Sequence, residues 1–245
     1  MMLPILGFDT FVGDLERSTA LVVERARSGA GGYAVLGNAH VLVTAQHDRE
    51  LAGALRGAWA VFPDGAPVAW LQRRRGHDTA RRIAGTDLLV SVARAGAPVG
   101  LRHSFFGGTP ETLAAVAARL TEEVPDVRIC TTVAPPFAPL DELAVHADAV
   151  RLAGADVVWV ALGAPKQELF MARHGDRFGA LSLGIGAAVD FVSGSKSRAP
   201  EWMQRSGLEW AHRLASEPRR LAGRYFRTNS EFVVRAVADL RKEAA

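Results

Sequence analysis

The chain has 245 residues, of which 49% are apolar and 22% charged, as in an ordinary soluble globular protein. Its single cysteine, Cys130, excludes an intramolecular disulfide and favours a reducing compartment, and we expect its side chain to lie in the core. No apolar stretch approaches the roughly 20 residues of a membrane span, and no signal peptide is recognisable. The net charge of +3 is uneven, because residues 196–227 hold eight Lys and Arg against three Glu.

Strand-like and helix-like segments alternate through most of the chain. In chain order they are a strand over 33–36, a helix over 48–56, strands over 58–62 and 99–106 separated by a helix over 86–95, a helix over 111–123, a strand over 127–132, a helix over 141–153, a strand over 156–162, a helix over 165–174 and a strand over 180–185. Alternation at this spacing indicates βαβ units. We therefore predict an α/β fold, with a Rossmann-like, mostly parallel sheet and helices on both faces.

The last quarter of the chain differs from the rest. Beyond Ser193 it is basic and helix-like, with Pro200 and Pro218 as interruptions. We predict two domains, the Rossmann-like domain over residues 1–193 and a helical basic C-terminal appendage over residues 194–245.

A cationic helix face is predicted within this appendage. Arg220, Arg224 and Arg227 are spaced at i, i+4 and i+7, which places them on one side of a helix. Guanidinium groups bind phosphate oxygens bidentately, so this face suits a diphosphate. The alternative is a solvated helix that packs on the core through Leu221, Tyr225 and Phe232.

Residues 163–168 read GAPKQE and follow directly on the apolar strand predicted at 156–162. Gly163 permits a tight turn, and Pro165 suits the first position of the following helix. The free N–H groups of that helix start, with Lys166 beside them, face the carboxyl edge of the sheet, where open α/β sheets bind ligands. This loop therefore predicts a site for a phosphorylated ligand.

Gly107, Gly108 and Thr109 repeat this arrangement after the strand predicted at 99–106, with Thr109 as helix N-cap and Pro110 in the first helical position. A phosphate or a ribose fits such a turn, but paired glycines also occur for backbone reasons alone. The sequence has neither the spaced-glycine dinucleotide fingerprint nor a Walker loop, which argues against NAD enzymes and P-loop NTPases.

Asp64 stands between Pro63 and Gly65 at the end of the strand predicted at 58–62. At the ligand edge of the sheet, such a carboxylate can act as a general base toward a hydroxyl nucleophile. Asp-Gly is also a common turn pair, so a purely capping role for Asp64 stays open.

Taken in order, these motifs resemble those of the WecG/TagA/CpsF glycosyltransferases of bacteria (glycosyltransferase family 26), over most of the chain. The matching motifs are NAH at 38–40, PDG at 63–65, RIAGTD at 82–87, FGG at 106–108, LGAPKQE at 162–168, GIGA at 184–187, DF at 190–191, RAP at 198–200, GLEW at 207–210 and EPRRL at 217–221. One position departs from the pattern, since Leu36 stands where many members carry Thr.

The resemblance implies inverting, metal-independent transfer of a sugar from a UDP-sugar to a polyprenyl-diphosphate-linked sugar, in the synthesis of cell-surface polysaccharide or teichoic-acid-type polymers. The sugar would be N-acetylmannosamine, its uronic acid or glucuronate, and no cofactor is implied. By resemblance, Asp64 is the general base, Gln167 contacts the donor diphosphate and Arg82 lies in the acceptor or donor pocket, and these three are the catalytic candidates. Asp190 would lie near the uracil.

Two further sets of candidates accompany these four residues. The remaining candidates for substrate binding are Asn38, Gly107, Gly108, Thr109, Phe137, Gly163, Lys166 and Glu168. The C-terminal cationic candidates are Arg213, Arg220, Arg224 and Arg227, and the face that holds the last three would close over the departing UDP or meet the lipid diphosphate of the acceptor.

The resemblance also implies a cytoplasmic protein that is peripheral on the inner face of the cell membrane. The appendage, with its Trp, Phe and positive charge, would dock on an anionic membrane surface and complete the active site. A homo-oligomer is compatible with the resemblance, and no nucleic-acid partner is expected.

Two other classes of function stay open on the sequence. A nucleotide-dependent oxidoreductase on a Rossmann-like fold would bind NAD. A non-catalytic protein that binds membrane or nucleic acid would tolerate Asp64→Asn, and its binding would fall steeply with salt.

Overall fold

The structure is a computed structural model, which describes residues 1–243 except for the side chains of Arg205, Arg220, Leu221, Arg224, Tyr225, Lys242 and Glu243. Its strands are β1 (Met2–Ile5), β2 (Phe8–Phe11), β3 (Tyr33–Gly37), β4 (Ala60–Pro63), β5 (Arg102–Phe106), β6 (Arg128–Val133), β7 (Val157–Val160) and β8 (Leu181–Gly184). Its α-helices are α1 (Leu15–Arg27), α2 (Ala39–His47), α3 (Arg49–Gly57), α4 (Ala66–Arg74), α5 (Gly85–Gly96), α6 (Pro110–Glu123), α7 (Leu140–Ala153), α8 (Lys166–His174), α9 (Ala188–Val192), α10 (Glu201–Arg205), α11 (Glu209–Ser216) and α12 (Pro218–Glu243).

Six strands form one sheet in the order β4-β3-β8-β7-β5-β6, and every neighbouring pair is parallel. The other two strands, β1 and β2, form an antiparallel hairpin. The predicted Rossmann-like α/β fold is confirmed. Because all six strands run the same way, the loops that follow them meet at one edge of the sheet.

The two faces of the sheet are covered by different helices. Along β7, Val157 and Trp159 point into a core shared with α1, α5, α6 and α9. Val158 and Val160 point into a second core shared with α2, α3, α4, α7 and α8. This alternation buries both faces of the central strands, which is why they read as unbroken apolar runs in the sequence.

Every strand and helix predicted between residues 33 and 185 is present, with small differences at the ends. Thr109 is the N-cap of α6 and accepts a hydrogen bond from the Thr112 N–H, with Pro110 in the first helical position, as predicted. Pro165 differs from its prediction by one position. It is the N-cap of α8, and Lys166 is the first helical residue.

Several elements were not predicted from the sequence, namely the β1–β2 hairpin, α1, α2 and α9. Helix α2 shows the physical reason. Its sequence AHVLVTAQH has buried residues on most of its circumference, because the helix lies between the body of the domain and α12. A helix covered on two sides has no polar stripe, so its 3.6-residue period is hidden.

Cys130 is exposed, so the prediction that it lies in the core was wrong. It belongs to β6, which is the edge strand of the sheet and alternates between exposed and half-buried positions. An edge strand has a neighbour on one side only, and its outward positions remain open to solvent.

The C-terminal appendage is helical, as predicted, and it packs on the domain before it. Phe232 and Ala236 of α12 are fully buried in the same core as α2. Trp202 and Phe226 of the appendage are exposed. Within residues 1–243, none of the helices combines the length and the apolar character needed to cross a membrane.

Candidate active site

Asp64 lies at the carboxyl edge of the sheet, directly after β4. Its backbone N–H donates to the Gly37 carbonyl at the end of β3, 3.2 Å away. The next residue, Gly65, has φ 92°, which favours glycine, and begins the turn into α4. The Asp64 carboxylate caps no helix by hydrogen bond here, because Gly65 holds the N-cap position of α4. The turn therefore leaves the carboxylate available to other partners.

The carboxylate of Asp64 is strongly influenced by its surroundings. Its side chain is 26% exposed to solvent. Burial raises the pKa of Asp64 above its usual value, while the Arg82 guanidinium and a hydrogen bond from Asn38 lower it. Burial is the larger effect. A carboxylate with a raised pKa is a stronger base than one on the surface, which suits proton abstraction.

Arg82 lies between two carboxylates that are far apart in sequence. Its Nε is 3.8 Å from Asp64 Oδ1, and its Nη2 donates to Glu209 Oε2 at 2.5 Å. The loop that carries Arg82 is fixed to the end of β4, because the Ile83 N–H donates to the Pro63 carbonyl at 2.8 Å. Glu209 begins α11, so the C-terminal appendage reaches the predicted site.

No role for Glu209 was predicted from the sequence. The available signal was its place in the GLEW motif at 207–210, which belongs to the family resemblance but carries no recognisable chemistry by itself. Its partner Arg82 is 127 positions earlier in the chain. No local pattern could have paired the two.

Other charged groups tie the appendage to the domain around the same edge. Lys196 Nζ lies 3.1 Å from Asp190 Oδ2 and 3.1 Å from Glu217 Oε1. Asp190, expected near the uracil, is therefore engaged in an ion pair here. Arg198 makes two hydrogen bonds to Asp87, of 2.5 and 2.8 Å, which join the segment before α10 to the first turn of α5.

Of the four predicted cations of the appendage, the structure describes the side chains of Arg213 and Arg227. The Arg213 guanidinium stacks 5.5 Å above the ring centroid of Phe191, and its charge lowers the pKa of Asp64, so it belongs to the site. Arg227 is exposed on α12. The side chains of Arg220 and Arg224 lie outside the described part of the chain.

Gln167 and Glu168 form a buried pair under the same edge. Gln167 Nε2 donates to Glu168 Oε1 at 2.8 Å. Gln167 also reaches the end of β8, since a Cβ on Gly184 would be 3.0 Å from its Nε2 and one on Gly186 3.3 Å from its Oε1. Glu168 was predicted to bind substrate, but it has no exposed surface and contacts Gln167 instead. Burial raises the pKa of Glu168 to about 7.

At the start of α8, Gly163 and Lys166 make contacts within the protein. Gly163 has φ 77°, as a tight turn requires, and its carbonyl accepts the Gln167 N–H. Lys166 Nζ donates to the Ala138 carbonyl at 2.7 Å and lies 4.5 Å from the ring centroid of Phe137, which is fully exposed. Lys166, at the start of α8, thus lies beside Phe137 of the loop between β6 and α7.

Gly107 has a structural role that its sequence context left open. Its φ is 102°, and a Cβ there would lie 2.7 Å from the carbonyl carbon of Ala161. Gly108 also has positive φ, at 86°, but a Cβ there would meet nothing closer than 3.8 Å. Close approach to the end of β7 therefore explains Gly107, while Gly108 and Thr109 still face the open edge as candidates.

A groove of about 780 Å³ opens between α5, α6 and α9. Asp87, Phe191 and Arg198 line one part of it, and Arg94 and Arg119 line another. Phe191 is the ring on which Arg213 stacks, and the charge of Arg213 acts on Asp64. The groove therefore adjoins the surroundings of Asp64. Within residues 1–243, no three His, Cys, Asp or Glu side chains are grouped so as to hold a metal ion.

A comparison with protein families identifies the family to which the chain is similar. The model described as the Glycosyl transferase WecG/TagA/CpsF family covers residues 3–245, which is nearly the whole chain.

Proposed function

The chain belongs to the WecG/TagA/CpsF family of glycosyltransferases, and on that premise we propose that it transfers a sugar from a UDP-sugar to a polyprenyl-diphosphate-linked sugar, with inversion. The sugar is N-acetylmannosamine, its uronic acid or glucuronate, and the product serves a cell-surface polysaccharide or a teichoic-acid-type polymer. The observation that carries the proposal is the partly buried Asp64 carboxylate beside Arg82, at the ligand edge of a parallel sheet.

Asp64 acts as the general base in this proposal. It takes the proton of the acceptor hydroxyl as that oxygen attacks the anomeric carbon of the donor. The new glycosidic bond forms on the face opposite UDP, and the bond to the diphosphate oxygen breaks with its electrons remaining on UDP. One displacement of this kind inverts the anomeric centre. Because burial raises the pKa of Asp64, the carboxylate is a better proton acceptor than an exposed one.

The departing UDP needs positive charge or hydrogen-bond donors where its own charge grows. Arg213 lies close enough to influence Asp64 and supplies one such charge. In this proposal, Gln167 and the Gly163 turn at the start of α8 contact the donor diphosphate, since a helix N-terminus favours phosphate. Cationic neutralisation of this kind makes a metal ion unnecessary in the proposed mechanism.

The appendage is proposed to dock on an anionic membrane surface that presents the lipid-linked acceptor, with the protein on the cytoplasmic side. Support comes from its positive charge and from its exposed apolar side chains. These side chains are Trp202, Leu208, Trp210, Phe226, Val233, Val234 and Val237. Residues 1–193 form the catalytic domain in this proposal.

The first experiment is a thermal-shift titration of the protein with UDP and, separately, with NAD, in the presence of EDTA. Stabilisation by UDP alone supports a metal-independent UDP-sugar enzyme and leads to donor screening against a lipid-diphosphate acceptor. Stabilisation by NAD alone contradicts the proposal and favours an oxidoreductase. Co-sedimentation with vesicles of anionic and of neutral lipid then tests the membrane partner, which requires preference for the anionic ones.

A further inference from the structure

Glu209 occupies a position that links the C-terminal appendage to the predicted base. Arg82 Nη2 donates a hydrogen bond to Glu209 Oε2 at 2.5 Å. Arg82 Nε lies 3.8 Å from Asp64 Oδ1, which is beyond hydrogen-bond distance. Both Arg82 and Glu209 are largely buried, with side-chain exposures of 19% and 13%. An ion pair shielded from water in this way is screened little by salt.

Two charges on α11 act on Asp64 in opposite directions. Glu209 raises the pKa of Asp64 by repulsion, and Arg213 lowers it by attraction, with Glu209 the larger of the two. From the domain side, Arg82 and Asn38 lower the pKa of Asp64. Arg198 also acts on Asp64, but Asp87 neutralises it through two hydrogen bonds. Seating of α11 therefore raises the basicity of Asp64 on balance.

We propose that Glu209 is a positioning residue that engages Arg82 when α11 is seated, so that the base Asp64 reaches its full strength only in that state. Without Glu209, Asp64 is the remaining carboxylate partner of Arg82, and the guanidinium favours its ionised, weakly basic form. This inference rests on the proposed function, because it presumes that Asp64 is the catalytic base.

The test uses Glu209→Gln in the full-length protein, with Glu50→Gln as the charge-matched control. Glu50 pairs with Arg173 on the exposed surface of α3 and α8 and is not one of the candidate site residues. The Asp64 carboxyl carbon is followed by NMR in protein labelled with ¹³C-aspartate, and its signal is assigned by its loss in Asp64→Asn. The pH profile of kcat/KM for sugar transfer is measured on the same variants.

Glu209→Gln is expected to move the titration midpoint of Asp64 to lower pH, and the acidic limb of kcat/KM with it. The plateau at higher pH should fall because the base is weaker, by less than the roughly 100-fold minimum associated with losing a general base. Glu50→Gln should leave both measurements unchanged. Glu209→Asp, which keeps the charge on a shorter side chain, should give an intermediate shift, and it replaces Glu209→Gln if that variant unfolds.

The positioning role of Glu209 and the proposed function are tested by different outcomes. An unchanged Asp64 midpoint in both Glu209 variants, or an equal loss of rate at every pH, would overturn the positioning role even if sugar transfer is observed. A shifted midpoint without any transfer from UDP-sugars supports the electrostatic coupling and counts against the proposed function.

Discussion

Gly207 and Ala66 lie against each other so closely that a Cβ on residue 207 would stand 2.9 Å from the Cβ of Ala66. Ala66 starts α4, two residues after Asp64, and Gly207 precedes α11 by two residues. The turn that carries Glu209 toward Arg82 therefore rests directly on the loop that carries the predicted base. With φ 75°, Gly207 also holds a backbone conformation that favours glycine.

Gly207→Ala is expected to destabilise the seated position of α11 by about 1–3 kcal/mol, from left-handed backbone strain and contact with Ala66. Sugar transfer should fall while the core of the domain stays folded. Gly223→Ala is the control, because Gly223 lies in α12 and a Cβ there meets none of the described atoms within 4 Å. That change should be neutral or stabilise the helix by up to ~1 kcal/mol. Hydrogen exchange of α11 in both variants measures the difference, and equal protection would contradict the described packing.

Asp64→Asn is expected to abolish transfer, by roughly 100-fold or more, while UDP binding persists. The same change should raise the thermal midpoint at neutral pH, because burial raises the pKa of Asp64 and the ionised carboxylate is therefore disfavoured in the folded state. This gain should shrink as the pH falls toward the ordinary pKa of an aspartate, where the unfolded chain is also protonated. Calorimetry across that pH range, beside UDP titration, checks both parts. Undiminished transfer would remove Asp64 from the mechanism.

Glu168→Gln is expected to stabilise the protein above pH 7. Burial raises the pKa of Glu168 from 4.5 to about 7, so the wild type loses stability as the pH rises from the unfolded value through the folded one. A shift of this size corresponds to about 3 kcal/mol at most. Urea unfolding at pH 8.5 and pH 4.5 should show the gain at the higher pH only. Glu122→Gln, at an exposed position of α6, should change stability by less than about 0.5 kcal/mol at either pH.

A comparison of Gly107→Ala with Gly108→Ala distinguishes a glycine that packing requires from one that contacts the ligand. Both residues have positive φ, but only a Cβ on Gly107 would clash, at 2.7 Å from the Ala161 carbonyl carbon. Gly107→Ala should therefore be the more destabilising, by more than about 2 kcal/mol, since strain and clash act together. If Gly108 faces the donor, its variant weakens UDP binding more than it lowers stability. Equal stability losses in the two variants would argue against the close approach of β5 and β7.

Deleting the appendage would test the role of Glu209 less specifically than point substitutions do. Phe232 and Ala236 are fully buried against the domain core, and their removal would expose the apolar side of α2. A protein cut after residue 193 would lose activity through instability as well as through the loss of Glu209. The domain boundary at that residue stays a prediction.

The alternating elements between residues 33 and 185 could be predicted because each depends on neighbours in sequence. The run Val157–Val160 is apolar throughout, and Thr109-Pro110 is a helix start by its own chemistry. The same local signals place Asp64 after β4, and a parallel sheet then puts it at the ligand edge. Helix α2 was missed because burial on two sides removed the polar stripe that a helix pattern needs.

The sequence by itself determined the fold class, the family resemblance and the position of the candidate base at the edge of the sheet. The tertiary structure alone decided that Glu209 meets Arg82, that Glu168 is enclosed beside Gln167, and that Cys130 lies on an open edge strand. The physical reason is the distance along the chain over which each kind of interaction acts. Periodicity and capping act over a few residues, whereas the pairing order of strands and the seating of α11 bring together groups more than a hundred positions apart, and only those contacts set burial and charge.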